Sequence, residues 1–342
     1  MTNGTTAVEF DNVSIVFGEH PKKALPLMDE GQSRSDIQKA TGQVLGVHAC
    51  SLRVESGEIL VLMGLSGSGK STLLRAVNAL NPVVRGEVRV NDGNGMVSVT
   101  NADKATLRRL RLRHVAMVFQ QFGLLPWRTV RENVGLGLEL AGQGEKERRR
   151  AVEEQLELVG LAQWADRKVG ELSGGMQQRV GLARAFATQA PILLMDEPFS
   201  ALDPLIRARL QDELLELQAR LKRTIIFVSH DLDEAFKLGN RIALMEGGRI
   251  VQCGTAREIY SAPASDYVAD FVNHMNPLGV LTARDALEPG VANGAAVEAE
   301  IPIREAMARL GDLPALTVTE RGTPIGRITR EGVLARLLHP RS

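Results

Sequence analysis

A short apolar run directly before a glycine-rich loop constrains the fold of this chain more than any other feature. Ile59 to Met63 is continuously apolar, which is typical of a strand buried on both faces. Glycines in such a loop let backbone amides approach phosphate groups, and a helix N-terminus adds positive charge. The strand–loop–helix order predicts a Walker A phosphate-binding motif within an α/β fold. The loop consists of Gly64, Leu65, Ser66, Gly67, Ser68, Gly69, Lys70 and Ser71.

A second apolar strand ends in two carboxylates. Residues 192–195 are Ile-Leu-Leu-Met, and Asp196 and Glu197 follow at the edge of the predicted parallel sheet where ligands bind. This pattern is typical of a Walker B motif. We expect Asp196 and the Ser71 hydroxyl to hold Mg²⁺, and Glu197 to polarise the attacking water as general base.

Two further side chains follow predicted strands of the same sheet. Gln120 comes after residues 115–119, and its amide is a candidate Mg²⁺ ligand that senses the γ-phosphate. His230 ends the apolar run 225–229, a strand and a helix after Asp196. We expect His230 to contact the γ-phosphate and position the attacking water.

A second glycine element opens another predicted helix. Ser173 caps it, and Gly174 and Gly175 in its first turn leave backbone N–H groups at an anion-binding end. An ordinary N-capped helix is the alternative. The neighbouring Gln177–Arg179 and the acidic pair downstream favour phosphate binding. Together with the first loop, this element indicates an ATP held between two copies of the chain, each supplying half of the site.

Composition excludes several other classes. The chain has 342 residues, room for one domain of about 250 residues and a small one, and its 41 basic and 41 acidic side chains leave no excess that predicts nucleic-acid binding. Cys50 and Cys253 fit no metal spacing and indicate a reducing compartment. The first residues lack the pattern of a signal peptide, and no apolar stretch reaches about 18 residues. We therefore expect a cytosolic chain that meets a membrane through a partner.

Alternating patterns predict antiparallel strands at 8–18 and 44–55, and a polar loop between them at 19–41 with a helical piece around 35–40. Strands alternating with helices elsewhere predict a largely parallel sheet covered on both faces. The charged run at 145–150 is interpreted as a solvated helix face. The other predicted elements are helices at 70–80, 102–113, 131–170 and 204–220, and strands at 114–119, 191–195 and 224–229.

The composition changes near residue 277. Residues 278–298 are rich in Ala, Gly and Val and are interpreted as a linker, and residues 299–342 as a small module that must dock or pair to be stable. Its predicted elements are helix 303–310, strand 315–320, a turn at 321–322, strand 325–328 and helix 330–338.

In this order, the motifs resemble those of the nucleotide-binding subunits of ATP-binding-cassette (ABC) transporters, over roughly residues 8–275. The resemblance implies a P-loop NTPase cassette at 8–277: a mostly parallel core, an antiparallel β subdomain and an α-helical signature subdomain around 125–185. It also implies two subunits closed head-to-tail over two ATP molecules. ATP and Mg²⁺ are the implied cofactors.

The same resemblance implies roles for individual residues. Ser173 and Gly175 of one copy would contact the γ-phosphate held by Lys70 of the other, and Asp203 would link the two sites. Phe17 lies where an aromatic ring stacks on adenine, although simple packing is the alternative. The remaining residues of the implied nucleotide site are Thr72, Gly174 and Gln178.

Residues 17–21, 63–70 and 200–207 look like the glycine betaine/proline/choline importer subfamily. That likeness implies a homodimer joined through the nucleotide, integral membrane permease subunits, a periplasmic or lipid-anchored solute-binding protein, and a peripheral position on the cytoplasmic face of the plasma (bacterial inner) membrane. Residues 299–338 resemble a single CBS (cystathionine-β-synthase-type) repeat. Quaternary ammonium groups are bound by aromatic cages. With 2 Trp and 2 Tyr in this chain, we expect another subunit to bind the solute.

Several alternatives remain open at this point. The apolar segment after Gln120 (Phe122, Leu124, Leu125, Pro126, Trp127) is either a buried clamp or, as we favour, part of an exposed groove for a partner's helix. The transported solute is a quaternary amine or another small molecule. A soluble ABC ATPase acting on DNA or ribosomes and a monomeric P-loop kinase or GTPase are further classes, and the last leaves residues 173–178 unexplained.

Overall fold

The computed structural model describes residues 5–273, 277–292 and 295–338. The predicted linker and C-terminal module therefore extend, at 293–294 and 339–342, outside the described residues. The strands are β1 (Thr6–Phe17), β2 (Val44–Glu55), β3 (Ile59–Met63), β4 (Arg85–Asn91), β5 (Met96–Ser98), β6 (Val115–Val118), β7 (Ile192–Asp196), β8 (Thr224–Val228), β9 (Arg241–Glu246), β10 (Arg249–Gly254), β11 (Ala296–Glu298), β12 (Ala315–Glu320) and β13 (Thr323–Thr329).

The helices are α1 (Leu25–Asp29), α2 (Arg34–Thr41), α3 (Lys70–Leu74), α4 (Lys104–Arg113), α5 (Val130–Val134), α6 (Leu136–Leu140), α7 (Glu145–Leu158), α8 (Gly174–Ala187), α9 (Pro204–Leu221), α10 (Leu232–Leu238), α11 (Ala256–Ser261), α12 (Asp266–Val272), α13 (Ile303–Leu310) and α14 (Arg330–Leu338). Among the described residues, no helix combines the length and apolar character that crossing a membrane requires.

The central sheet has the strand order β10-β9-β3-β8-β7-β6. Its consecutive strands β3, β8, β7 and β6 pair in parallel, as predicted, with β6 at the edge of the sheet. All five residues of β3, β7 and β8 are buried, because helices cover both faces of such a sheet. The carboxyl ends of these strands therefore meet at one edge, where the predicted site residues follow.

A second sheet of order β2-β1-β4-β5 is antiparallel, which confirms the prediction for 8–18 and 44–55. Val8 pairs with both Val54 and Val90 across β1 and its neighbours, so the apolar side chains of three strands share one buried face.

The insert between β1 and β2 is more helical than predicted. The helical piece around 35–40 is confirmed as α2, but residues 21–29, expected as loop, form a 3-10 turn and α1. The insert has a small core of its own, because apolar side chains at helical spacing meet β1 and β2. The buried members of this core are Val16, Ala24, Met28, Ile37 and Leu45.

The helix after the phosphate loop is shorter than the predicted 70–80. It ends at Leu74, and the chain continues in i→i+3 turns, with Ala76 N–H donating to Leu73 and Val77 N–H to Leu74. Ala79 has a φ of +55°, which no α-helix accommodates, and the Asn81 amide donates to the Thr72 carbonyl at 3.1 Å.

Helices α5 to α7 form the helical segment that was predicted at 131–170, interrupted by turns, and α8 is the separate helix predicted after Ser173. The first helix of the segment begins with a capping box, in which the Thr129 hydroxyl accepts from Glu132 N–H and the Glu132 carboxylate accepts from Thr129 N–H. Ser173 caps α8, as predicted, its hydroxyl accepting from Met176 N–H at 3.4 Å.

Residues 231–242 and 251–342 form a second compact unit, and the remainder of the chain forms the first. The compact units thus divide the chain at other points than the predicted boundary at 277. Within the second unit, the β12–β13 hairpin with its turn at 321–322 and the helices α13 and α14 form as the sequence predicts. The third strand of this sheet, β11, was not predicted: it lies in the segment interpreted as a linker and pairs in parallel with β12. The resemblance of this module to a CBS repeat stays a prediction.

Candidate functional site

The loop after β3 is wrapped around the side chain of Lys70. Its ammonium group donates to the carbonyls of Gly64 at 2.8 Å and Leu65 at 3.0 Å, and the residue is 6% exposed. Burial lowers the pKa of Lys70, and the nearby carboxylates of Glu197 and Asp196 oppose that shift. An anion entering the loop would therefore meet a preformed, partly desolvated cation.

Two glycines of this loop are required by their surroundings. Gly64 has a φ of +140°, and a Cβ there would lie 2.1 Å from the Met245 carbonyl oxygen. Gly69 has a φ of +103°, and its Cβ would lie 2.7 Å from the Gly46 carbonyl oxygen. The loop can therefore take its curved path only with glycine at both positions.

Asp196 ends β7 and is completely buried. Its carboxylate accepts from the Ser71 hydroxyl at 2.6 Å and pairs with the Arg75 guanidinium at 2.8 Å. The hydroxyl and carboxylate oxygens of Ser71 and Asp196 thus lie together, and hard oxygen donors suit Mg²⁺. Arg75 was not among the predicted site residues, and its position in the turn after α3 gave no sequence signal.

Glu197 occupies a strained backbone position just beyond β7. Its φ is +49°, which is unusual for a residue other than glycine and is typical of a functional turn. Its carboxylate lies 3.3 Å from the Gln120 amide nitrogen and 3.4 Å from His230 Nδ1. Three residues predicted from separate strands are therefore brought together. His230 is mostly exposed, whereas the Glu197 side chain is 18% exposed.

These groups face a cavity of about 640 Å³, large enough for a mononucleotide. Phe17 lines it and is 38% exposed, so its ring is available for stacking. Five lining residues were not singled out by the sequence: Arg34, Gln38, Val44, Leu45 and Gly46. The other lining residues are Ser66, Gly67, Gly69, Lys70, Ser71, Thr72, Gln120, Glu197 and His230.

The second glycine element lies outside this cavity. Ser173 and Gly174 are exposed, and a Cβ on Gly174 would meet no atom within 4 Å. Asp203 is also exposed and caps α9, its carboxylate accepting from Ile206 N–H at 3.1 Å. None of these residues, nor Gly175, lines the cavity of the same chain.

Gln178, which the resemblance placed in the nucleotide site, has a different environment from its neighbours. It is 1% exposed, and its amide nitrogen donates to the Glu197 carbonyl at 3.3 Å while its amide oxygen accepts from Ala201 N–H at 3.2 Å. Gln178 therefore ties α8 to the turn that carries Glu197.

The structure bears out neither alternative in full for the apolar segment after Gln120: none of Phe122, Leu124, Leu125, Pro126 and Trp127 is fully buried, and none of them lines an apolar groove. The backbone of the loop is held by Arg184 of α8, whose guanidinium donates to the carbonyls of Phe122 and Gly123, both at 2.7 Å. Trp127 nevertheless stays 69% exposed. An apolar groove of about 350 Å³ lies beside the loop. Apart from Gly123, the residues that line it belong to other segments of the chain. The apolar lining residues are Leu80, Leu112, Val115, Ala116, Met117, Phe119, Leu136, Leu140 and Ala185.

Comparisons with known proteins agree on the family. The family model described as "ABC transporter" matches residues 47–200. The glycine betaine/proline betaine transport system ATP-binding protein ProV of Escherichia coli K12 is 50% identical over 278 residues, covering 81% of this chain and 68% of ProV. The trimethylamine N-oxide transport system ATP-binding protein TmoW of Ruegeria pomeroyi is 44% identical over 339 residues, covering 98% of both chains.

A solved structure gives the same result for the fold. The dimeric ATP-binding cassette MJ0796, in a post-hydrolysis state with ADP and phosphate, superposes with a TM-score of 0.63 at 30% identity. The match covers 73% of this chain and 99% of that one.

Proposed function

We propose, from the premise that this chain belongs to the ATP-binding subunits of ABC transporters, that two copies close over two ATP molecules and power the import of a quaternary amine. One observation carries the dimer: Ser173 and Gly174 are exposed, and neither they nor Gly175 line the cavity that holds Lys70. A helix end with unsatisfied N–H groups suits a phosphate. A second copy can bring this helix end to the open side of the cavity.

In this proposal the phosphate loop binds the nucleotide through its backbone amides, and Lys70 neutralises phosphate charge. The base stacks on Phe17. The oxygens of Ser71 and Asp196 would hold Mg²⁺, with Gln120 as a further ligand, and the ion would neutralise charge on the phosphate oxygens. Arg75 orients the Asp196 carboxylate, because it is that carboxylate's ion-pair partner at 2.8 Å.

Hydrolysis is assigned to the cluster around Glu197. Its carboxylate accepts a proton from the attacking water as general base, and His230 and Gln120 hold that water and the carboxylate in place. Gln178 fixes the backbone of the same turn through its bond to the Glu197 carbonyl. Hydrolysis removes the γ-phosphate that Ser173 and Gly175 of the other copy bind, and the dimer reopens.

The apolar groove lined by Met117, Leu136 and Leu140 is proposed as the docking place of a helix from a membrane permease subunit. Arg111 and Arg184 also line it, so an apolar helix with an acidic flank would fit. Docking beside the loop that follows Gln120 would connect the γ-phosphate to the permease. Through this contact the chain would lie at the cytoplasmic face of the membrane, with a solute-binding protein on the other side.

The proposed solute class rests on the transport functions for which the relatives are named. Glycine betaine and proline betaine are named for ProV, and these compounds carry a quaternary nitrogen. Trimethylamine N-oxide is a second candidate, because TmoW matches 98% of this chain, including the C-terminal module. Both candidates are small and zwitterionic around a methylated nitrogen.

Reconstitution tests the solute and the coupling together. The chain is co-expressed with its permease and solute-binding protein, and uptake of labelled glycine betaine, choline and trimethylamine N-oxide into proteoliposomes is followed with ATP inside. We expect ATP-dependent uptake of one of these compounds, and none with Glu197→Gln. Uptake of none of them, alongside intact ATPase activity, would contradict the proposed solute class.

A further inference from the structure

One cation in the nucleotide cavity is unused by the function proposed above. Arg34 is the first residue of α2, in the insert between β1 and β2, and it lines the cavity together with Gln38. These two positions are four residues apart, so they share one face of the helix. Ile37 between them is completely buried and anchors α2 in the insert's own core. The insert is therefore a packed wall of the cavity.

The guanidinium of Arg34 bridges two backbone segments. It donates to the Gly67 carbonyl at 2.5 Å, within the phosphate loop, and to the Gly46 carbonyl at 2.6 Å, on β2. A Cβ on Gly46 would lie 2.9 Å from the Phe17 ring and 3.0 Å from the Thr72 methyl. Arg34 therefore lies between the ring proposed to stack on the base and the loop proposed to bind the phosphates.

The charge of Arg34 is uncompensated. It makes no ion pair among the described residues, and its buried Nε has no hydrogen-bond partner. Burial lowers the pKa of this guanidinium, so its cationic form is disfavoured relative to a solvated arginine. An anion in the cavity would stabilise such a group, and the phosphates of a nucleotide bound there would supply one.

We infer that Arg34 is a nucleotide-binding residue, a second cation beside Lys70 that contacts the ligand where the sugar joins the α-phosphate. The insert would thus complete the nucleotide pocket of its own chain. Because ADP keeps its α-phosphate, the contact would contribute equally to ATP and ADP binding. This inference rests on the proposed nucleotide site.

The test compares Arg34→Ala with Lys39→Ala in the full-length protein. Lys39 is exposed on the same helix and does not line the cavity, so its loss removes the same charge without the contact. Dissociation constants for ATP and for ADP are measured by calorimetry at several salt concentrations. We expect Arg34→Ala to weaken both nucleotides about tenfold, with a shallower salt dependence, and Lys39→Ala to stay within about twofold.

Two results would overturn the inference. One is an Arg34→Ala protein that binds ATP and ADP as tightly as Lys39→Ala does. The other is a loss of affinity with the salt dependence of the wild type, because Arg34 would then act only by bracing Gly67 and Gly46. Lys70→Ala is measured in parallel. If it too binds ATP normally, the proposed nucleotide site is wrong, which is distinguishable from a failure confined to Arg34.

Discussion

At the scale of single residues, Glu197 carries the proposed chemistry. Its left-handed backbone directs a mostly buried carboxylate toward both Gln120 and His230. We expect Glu197→Gln to hydrolyse ATP about 10²–10⁴-fold more slowly, since the amide cannot accept the proton from water. ATP binding should be retained, because the phosphate loop is untouched. Steady-state phosphate release and calorimetric ATP binding check the two parts. Full turnover by this variant would exclude Glu197 as the base.

Replacing Lys70 should affect nucleotide binding, whereas replacing Glu197 should affect hydrolysis. Lys70→Ala removes the cation around which the loop is folded, together with its bonds to Gly64 and Leu65. We expect this variant to lose measurable ATP binding and therefore hydrolysis, in contrast to Glu197→Gln. The comparison is informative because each change removes one charged group from the same cavity. A Lys70→Ala protein with wild-type ATP affinity would contradict the assigned phosphate loop.

The two cysteines should differ in reactivity. Burial raises the pKa of Cys50 to about 11, and its thiol packs 3.4 Å from the Gly248 carbonyl, whereas Cys253 is exposed. At pH 8 only about one Cys50 in a thousand would be a thiolate. We expect a disulfide reagent to modify one thiol of the native protein quickly and the second only after denaturation. Cys253→Ser should remove the fast reaction, and two fast thiols in native protein would contradict the burial of Cys50.

At the scale of helices and strands, the sequence was most informative where apolar residues form a continuous run. The buried strands β3, β7 and β8 were predictable because they are continuously apolar. Residues 21–29 were not, because their short helical turns are polar on most faces and are held by Met28 and Ala24 in a local core. Tertiary packing, rather than helix propensity, determines that segment.

The proposed permease groove belongs to this scale as well. Leu140, at the end of α6, is 54% exposed and lines the groove. We expect Leu140→Glu to prevent co-purification with the permease, because a charge would replace an apolar contact. Leu221→Glu is the matched control, since Leu221 is 44% exposed at the end of α9 and lies outside the groove. Equal loss of the permease in both variants would argue against this docking place.

The C-terminal module can be tested by truncation. Removing residues 280–342 deletes β11 to β13 and deprives Arg257 of its partner Asp285, 2.9 Å away. Because every residue of the proposed site lies at or before 230, we expect basal ATPase activity to remain, with a lower melting temperature. Full-length Arg257→Ala controls for the lost ion pair. Loss of nucleotide binding on truncation would show that the module is required to fold the cassette.

At the scale of the whole molecule, the sequence predicted the residues at the centre of the site better than those around its edge. The phosphate loop, Asp196, Glu197 and His230 could be placed because each follows an apolar strand of a parallel sheet. Arg34 and Arg75 could not, since an arginine in a polar insert or a turn resembles any solvated residue until the chain is folded. Gln178 was predicted as part of the nucleotide site from its motif, but its side chain is buried against the Glu197 turn, whereas Ser173 and Gly174 of the same motif are exposed.

The ATP-dependent dimer is the most consequential proposal. It rests on Ser173 and Gly174, which are exposed and lie outside the cavity of their own chain, so that only a second copy could use them to bind the nucleotide. Sedimentation velocity of Glu197→Gln with saturating Mg²⁺ and ATP measures the dimer most directly, compared with the same variant carrying Ser173→Asp. Aspartate keeps the helix cap but places a negative charge where a phosphate would bind. We predict a dimer for the single variant and a monomer for the double one. A monomeric Glu197→Gln protein at saturating ATP, or an unchanged dimer with Ser173→Asp, would contradict the shared site.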